Sequence, residues 1–333
     1  MSINNFRAET WVGPVKGWAV GKIELHPLGE ESLGVRSMAL GVVTPDATVL
    51  LDAGVSLAPR RFGLPPHPKE FEAAREARER ITSFAARCDV VTISHYHLDH
   101  YTPSFTSYYE WCDRDVFEKT YAGKLILAKR PDRSISFNQR KRATILLREL
   151  GEAGCRVVEA DGLRFVLGRT YIEALGPFPH GAESPMGSVV SFLIEYGGTR
   201  IVFAPDAQGP TESNAAEAII SLKPSLVVIG GPPLYLEGRK VERELVRRGL
   251  ENLAVISRST RVIVCHHTLR DEEWRGKLAS GGISAAMTYA ELLGAEEKLL
   301  EARRRVLYKE EPPSRRFIEW LRAPKDLRGP PPL

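Results

Sequence analysis

Short apolar runs alternate with amphipathic segments along much of the chain. Val90–Ile93, Leu226–Ile229 and Val262–Cys265 are almost purely apolar, which is typical of short strands that are buried on both faces. Lys69–Arg87 places apolar residues three or four positions apart, with Glu and Arg between them, and this predicts an amphipathic helix. Strands that alternate with helices in this way favour an α/β fold.

Other patterns indicate strands that pair in antiparallel fashion. Glu24–Leu28, Val35–Val43 and Thr48–Leu51 predict a β-meander. Tyr196-Gly197-Gly198-Thr199 lies between two apolar runs, and this predicts a hairpin. Helical periodicity is also found in three later segments, which are Ala143–Glu152, Glu237–Arg258 and much of Asp271–Arg305.

Composition places the chain among ordinary globular proteins. Its 333 residues are 43% hydrophobic and 26% charged, and the net charge of +4 is too small to indicate nucleic-acid binding by itself. We find no secretory signal and no run of 18 apolar residues, so we expect a cytoplasmic protein with no membrane partner and with reduced cysteines. We expect one domain over residues 1–333, with an aromatic and basic insert around 101–145 and a peripheral tail over 306–333.

Candidate metal ligands are concentrated directly after one of the buried runs. Ser94-His95-Tyr96-His97-Leu98-Asp99-His100 contains four side chains that can bind a transition metal, in the pattern H-x-H-x-D-H. A structural zinc site or a surface run of histidines is the alternative interpretation. Structural sites usually rely on cysteine, however, and this stretch contains none, so the pattern favours a catalytic metal site.

Further candidates follow other predicted strands. His180, His266 and His267 lie in loops after apolar runs, while Asp52 and Asp206 lie at or just past strand ends. Loops that deliver ligands from several strand ends are what a metal enzyme built on a sheet requires. Each aspartate could instead be a turn former, and His180 could be a plain loop residue.

This ordered set resembles the five sequence motifs of the metallo-β-lactamase-fold hydrolase superfamily. The resemblance covers about residues 20–270 and includes the hairpin before Asp206. Within the superfamily the chain is most similar to an uncharacterised, mainly archaeal branch of predicted metal-dependent hydrolases. The resemblance implies an α/β fold that is a four-layer αββα sandwich, in which two mixed β-sheets are flanked by helices.

The resemblance also implies a role for each candidate residue. One metal ion would be bound by His95, His97 and His180. The other would be bound by Asp99, His100 and either His266 or His267, of which we prefer His266. Asp206 would bridge the two ions, and Asp52 would orient ligands without touching metal.

The ligand types bear on the metal and on the reaction. The resemblance implies two divalent ions, and imidazole and carboxylate ligands favour Zn²⁺, with Fe or Mn as alternatives. Two ions would generate a bridging hydroxide, and Asp99 could take up its proton, so we consider Asp99 and Asp206 catalytic. The main hypothesis is therefore a dinuclear metal-dependent hydrolase.

The substrate is less well defined by the sequence. The basic run 129–142 follows the aromatic stretch 101–121 and slightly favours a phosphodiester or another anionic small molecule. Nucleic acid is possible but not indicated. The resemblance implies that relatives which process nucleic acid insert a large cap between the positions of Asp206 and His266, and the helix, strand and helix predicted there leave no room for one. A nuclease without a cap stays an alternative. The alternatives are a mononuclear iron-dependent oxygenase of the same fold, a lactone or thioester hydrolase, and a non-catalytic binding module. The sequence does not indicate an oligomeric state.

Overall fold

Two β-sheets pack face to face between two layers of helices in the computed structural model, which describes residues 17–132, 134–181, 187–324 and 328–333. The first sheet is antiparallel over its first four strands and parallel over the rest. Its strands lie in chain order: β1 (Trp18–Val20), β2 (Ile23–Pro27), β3 (Leu40–Val43), β4 (Thr48–Leu51), β5 (Val90–Ile93), β6 (Leu125–Ala128) and β7 (Arg156–Glu159).

The second sheet repeats this change from antiparallel to parallel pairing. Its strands are β8 (Arg164–Leu167), β9 (Thr170–Pro179), β10 (Ser188–Tyr196), β11 (Thr199–Ala204), β12 (Leu226–Gly230) and β13 (Arg261–Cys265), which are adjacent in this order. The strands β8–β11 pair in antiparallel fashion, while β11, β12 and β13 are parallel. Tyr196 and Thr199 face each other across the β10–β11 turn, so the predicted hairpin is confirmed.

Helices cover the outer face of each sheet. The helices are, in chain order, α1 (Pro68–Ala85), α2 (Arg114–Tyr121), α3 (Phe137–Glu152), α4 (Ser213–Ser221), α5 (Arg243–Ser259), α6 (Trp274–Ser280), α7 (Tyr289–Leu293), α8 (Arg304–Glu310) and α9 (Arg315–Arg322). The short helix α7 differs from the others, because its Tyr289 and Ala290 belong to the core between the sheets. None of the helices in the described ranges is both long and apolar enough to cross a lipid bilayer.

Three apolar cores separate the layers. The central core lies between the sheets and contains Leu51 of β4 and Phe203 of β11. A second core joins the first sheet to α1, α2 and α3, and a third joins the second sheet to α4, α5 and α6. Helix, sheet, sheet and helix therefore follow one another, and the predicted αββα sandwich is confirmed.

Three predicted elements are shorter than expected, and glycine explains two of them. The segment Asp271–Arg305 is not largely helical, because Gly282 and Gly294 adopt positive φ angles of 83° and 65° and separate short helices. The segment Glu237–Arg258 becomes helical only at Arg243, after a turn in which Gly238 has φ of 66°.

The third difference concerns Val35–Val43, of which only Leu40–Val43 pairs as a strand. Arg36 instead exchanges backbone hydrogen bonds with Ser56, and the hydroxyl of Ser37 donates to the carbonyl of Gly54 at 2.6 Å. These contacts hold the segment against the loop that follows β4, so it cannot pair with β2.

The predicted insert and tail both contribute to the core that joins the first sheet to α1, α2 and α3. Within 101–145 the structure has α2, β6 and the start of α3, although Arg133 lies outside the described residues. Within 306–333, of which residues 325–327 are not described, Phe317 of α9 is fully buried against Phe71 of α1. The single-domain organisation stays a prediction.

Candidate metal centre

The loops that follow five strands meet at one edge of the sandwich. Asp52 follows β4, the stretch His95–His100 follows β5, and His180 follows β9, while Asp206 and His266 follow β11 and β13. Parallel strands place their carboxyl ends at the same edge of a sheet, which is where ligands usually bind in α/β proteins. The fold therefore brings every candidate residue into one buried cluster.

A first group of ligand atoms surrounds one point between the sheets. Nε2 of His95 and Nε2 of His180 lie 3.0 and 3.2 Å from Nδ1 of His97. Oδ2 of Asp206 lies 3.2 Å from His95 Nε2 and 3.0 Å from His180 Nε2. A tetrahedral ion with ligands at about 2.0–2.1 Å separates neighbouring ligand atoms by about 3.3 Å, so these spacings suit such an ion.

A second group lies on the other side of Asp206. Nε2 of His100 is 3.3 Å from Asp206 Oδ2, and Nε2 of His266 is 3.2 Å from Asp206 Oδ1. The same His266 nitrogen lies 3.4 Å from Oδ2 of Asp99. Asp206 therefore faces both groups, which is the position that a bridging carboxylate requires.

Unsatisfied polar atoms support this interpretation. Nε2 of His100 and Oδ1 of Asp206 are buried and have no hydrogen-bond partner among the described residues. Leaving such an atom unpaired costs about 1–3 kcal/mol. A cation bound among these ligand atoms would satisfy both, so the donor set fits metal binding.

Carboxylate acceptors fix the orientation of two of the histidines, His100 and His266. His100 Nδ1 donates to Oδ2 of Asp52 at 2.8 Å, and Ser94 N donates to Oδ1 of the same carboxylate at 2.9 Å. His266 Nδ1 faces Oε1 of Glu31 at 3.0 Å. When Nδ1 carries the hydrogen, Nε2 presents its lone pair to the centre of the site, as ligation requires.

Burial and charge set the protonation of these side chains. Burial lowers the pKa of His97 to about 4, with a further contribution from His180, so its imidazole is neutral and able to bind metal near pH 7. Burial alone would raise the pKa of Asp206, but His266 and His180 hold it well below its usual range. Asp206 is therefore ionised.

Three site residues have left-handed backbone conformations. Asp52, Asp206 and His266 have φ angles of 47°, 48° and 63°. Such conformations cost of order 1–3 kcal/mol each for residues other than glycine, and they cluster where function fixes the chain. Each of these residues lies just past a strand end, where the chain turns sharply into a loop.

Close backbone packing also shapes the centre. A Cβ atom on Gly54 would lie 2.2 Å from the carbonyl carbon of Asp99 and 2.2 Å from the nitrogen of His100. Only glycine therefore lets the loop after β4 approach the loop that carries these two ligands.

Sequence reasoning missed two residues behind the cluster, Glu31 and Arg270. Arg270 Nε donates to Glu31 Oε1 at 2.8 Å, and Nη1 lies 3.4 Å from Nδ1 of His267. Nη2 of Arg270 lies 2.9 Å from Nδ1 and 3.0 Å from Nε2 of His266. An atom at nearly equal distance from both nitrogens would collide with Cε1 if it lay in the plane of the ring. Nη2 therefore lies over the face of the His266 ring. Glu31 follows an early strand and Arg270 lies four residues after His266, but nothing in the local sequence indicates that they meet.

The cluster opens into a cavity of about 310 Å³. Its walls include the exposed edges of the metal-ligand candidates together with arginines and one further acid, which are Arg36, Arg142, Arg270 and Glu110. Of the described basic residues in the run 129–142, only Arg142 lines this cavity. The aromatic stretch supplies packing, since Tyr101, Trp111 and Phe117 are buried.

Known proteins resemble the chain in sequence and in structure. A UPF0282 protein of Pyrobaculum arsenaticum is 46% identical over 298 residues, which cover 87% of this chain and 95% of that protein. A UPF0282 protein of Methanopyrus kandleri is 45% identical over 292 residues, which cover 86% of this chain and 99% of that protein. Among solved structures, the metallo-β-lactamase fold protein YhfI from Bacillus subtilis aligns with a TM-score of 0.47 and 11% identity, over 80% of this chain and 95% of that chain. No model of a protein family matches the chain.

Proposed function

The chain belongs to the UPF0282 family, and we propose that it is a metal-dependent hydrolase that binds two divalent ions, with Zn²⁺ as the preferred metal. The observation that carries the proposal is the position of Asp206 between two complete groups of ligand atoms. A centre that is accessible from a cavity on one side suits catalysis, whereas a structural zinc site is closed on all sides.

His95, His97 and His180 would hold the first ion, and Asp99, His100 and His266 would hold the second, with Asp206 facing both groups. Bound divalent ions supply a water molecule whose pKa is lowered towards neutrality, and they neutralise charge that develops on the substrate oxygen. Asp99 lines the cavity and is more exposed than Asp206, with 16% of its side chain accessible. It is therefore the carboxylate placed to exchange a proton with substrate or solvent.

His266 and His267 have different hydrogen-bond partners, and this separates their roles. Glu31 accepts from His266 Nδ1, which leaves the lone pair of Nε2 for metal. Arg270 can only donate, so His267 Nδ1 accepts its hydrogen bond and Nε2 carries the hydrogen. These contacts support His266 as the metal ligand, while Nε2 of His267, which lies 3.3 Å from Oδ1 of Asp206, would donate a hydrogen bond to that carboxylate.

Completeness of the second group favours a hydrolase over a mononuclear iron oxygenase of the same fold. An oxygenase with one iron needs only the first group, yet Asp99, His100 and His266 are all placed for ligation. Their supporting contacts to Asp52 and Glu31 are also in place. A non-catalytic binding module has no need for this arrangement.

The proposal is tested with metal-reconstituted protein and chromogenic phosphodiester, lactone, thioester and β-lactam substrates. His97→Ala and Asp206→Ala should each lose at least one bound metal ion and lose hydrolysis, while circular dichroism shows that the protein stays folded. His67→Asn is a matched control, because His67 caps α1 away from the cavity and asparagine also caps helices well. Full hydrolysis by either site variant, or oxygen uptake with one iron per chain, contradicts the proposal.

A further inference from the structure

Among the residues that the structure describes, three arginines line the cavity above the ligand cluster, and two of them are neutralised by buried carboxylates. Arg36 donates from Nε and Nη2 to the two oxygens of Glu301, both at 2.6 Å. Arg270 Nε donates to Glu31 at 2.8 Å. These two arginines belong to fixed ion pairs, so they have little charge left to attract a substrate.

Arg142 differs from both. Its Nη1 donates a hydrogen bond to the carbonyl oxygen of Tyr96 at 3.4 Å, and no carboxylate oxygen of the described residues lies within 4.0 Å of its guanidinium. Its side chain is half-buried and lines the same cavity as His97 and Asp99. Within the described residues it is therefore the cavity arginine without an acidic partner.

The position of Arg142 is fixed by contacts between α3 and the loop His95–His100, which we call the metal-ligand loop. Ser136 caps α3, and the buried side chain of Gln139 accepts a hydrogen bond from the backbone nitrogen of Tyr96 at 3.1 Å. The hydroxyl of Tyr96 donates a hydrogen bond to the carbonyl of Lys129, so the side chain of Tyr96 is also held in place. Because residues three apart share a helix face, Arg142 lies above the loop next to Gln139 and beside His97.

The other described basic residues of the run 129–142 do not line the cavity. Lys129 is paired with Asp161 at 2.8 Å, and Arg130 with Asp132 at 2.9 Å. Arg140 and Lys141 are exposed on α3 and do not line the cavity. The sequence favoured an anionic substrate because of the whole run, but among its described residues Arg142 is the one that can contact a substrate in the cavity.

The charges around the cavity favour an anion in this position. The carboxylates of Asp99 and Asp206 face histidines and the proposed metal ions. Glu110 also lines the cavity, but burial raises the pKa of its carboxyl group, which also accepts a hydrogen bond from Ser107. Two divalent ions and Arg142 would therefore leave the cavity with an excess of positive charge.

We propose that Arg142 is the specificity-determining residue of this cavity and that it binds the anionic phosphoryl oxygen of a phosphodiester. A planar guanidinium can donate two parallel hydrogen bonds to a phosphate group, and such charge-assisted pairs are stronger than neutral ones. The cavity of about 310 Å³ holds a small phosphodiester. This inference rests on the proposed hydrolase function, since it places the substrate over the same ligand cluster.

Arg142→Gln removes the charge and keeps a side chain of similar reach. With zinc-loaded protein and bis(p-nitrophenyl) phosphate, KM should rise on the order of tenfold to a hundredfold, which corresponds to the loss of a charge-assisted hydrogen bond. Hydrolysis of the neutral ester p-nitrophenyl acetate should change less than about twofold, because it offers no anion to Arg142. Arg142→Lys should recover part of the loss, and Arg140→Gln and Lys141→Gln on the exposed side of α3 should behave as wild type.

Binding of inorganic phosphate to the zinc-loaded protein gives a second readout that needs no turnover. Isothermal titration should show phosphate binding that weakens in Arg142→Gln at unchanged zinc content and is unaffected by Arg140→Gln. Equal phosphate affinity in Arg142→Gln and wild type, or no phosphate binding to wild type, overturns the role of Arg142. If phosphate binding depends on Arg142 but no ester of either kind is hydrolysed, the specificity assignment stands and the hydrolase function fails.

Discussion

Nδ1 of His266 lies 3.0 Å from Oε1 of Glu31, which joins the last metal-ligand candidate to a turn near the start of the first sheet. Arg270 donates to the same Glu31 oxygen and lies over the His266 ring. Both side chains of the ion pair are almost fully buried, so the imidazole is held from two sides. A fixed ring orientation increases metal affinity, because less freedom is lost on binding.

Glu31→Gln tests this contact. The glutamine amide is of equal size but no longer accepts as a carboxylate, so the affinity of the second metal should fall on the order of tenfold to a hundredfold. Zinc titration with a competing chelator measures the effect. Glu24→Gln, at a half-exposed position on β2, is the control and should leave zinc affinity unchanged. Equal affinity in Glu31→Gln would mean that Glu31 does not orient His266.

His266→Ala and His267→Ala should have different effects on metal content. Because Glu31 accepts from Nδ1 of His266 while Nδ1 of His267 accepts from Arg270, we expect His266→Ala to retain one zinc per chain and His267→Ala to retain two. The effect of His267→Ala should appear as reduced turnover at full metal content. Loss of zinc in His267→Ala, with retention in His266→Ala, would exchange the two roles.

Gly54→Ala should disrupt the second metal group through the backbone. The added Cβ would lie 2.2 Å from the backbone of Asp99 and His100, so the loop carrying these ligands must shift. We expect a lower zinc stoichiometry and a loss of thermal stability. Gly276→Ala is the control, since a Cβ there meets no atom within 4 Å and α6 should be stabilised by about 0.5–1 kcal/mol. Full zinc binding in Gly54→Ala would show that the loop tolerates displacement.

Arg304 and Glu70 form a fully buried ion pair that joins α8 to α1, with Nε at 2.7 Å and Nη2 at 2.6 Å from the carboxylate. Arg304→Met leaves the Glu70 charge buried without a partner and should lower the free energy of unfolding by about 3–5 kcal/mol. Adding Glu70→Gln removes that charge and should recover part of the loss. Chemical denaturation measures both variants. An unchanged stability of Arg304→Met would show that the pair contributes nothing to the attachment of α8.

The histidines and aspartates of the cluster could be predicted because each lies next to a strongly apolar strand. The pattern H-x-H-x-D-H after Val90–Ile93 is visible in the sequence itself, and the strand ends carry the remaining candidates. Glu31 and Arg270 could not be predicted, since their role depends on tertiary contacts between distant segments. The helix predicted over Asp271–Arg305 was wrong for a local reason. The spacing of apolar residues does not show where a glycine adopts a positive φ angle and ends a helix.

For the basic run 129–142, the sequence likewise does not indicate which side chain faces the metal-ligand candidates. Its positive charge is evident in the sequence, but which residue faces the site depends on the start of α3 at Phe137. The predicted start at Ala143 placed Arg142 outside the helix. The actual start sets Gln139 and Arg142 on the face that contacts the metal-ligand loop.

Metal content per chain tests the central claim most directly. Purified protein that is stripped of metal, reconstituted with zinc and freed of excess ion should contain two zinc ions per chain by elemental analysis. Asp206→Ala should contain at most one, because the carboxylate shared by both groups is gone. A wild-type content of one ion or none, or two ions retained by Asp206→Ala, would contradict a dinuclear centre bridged by Asp206.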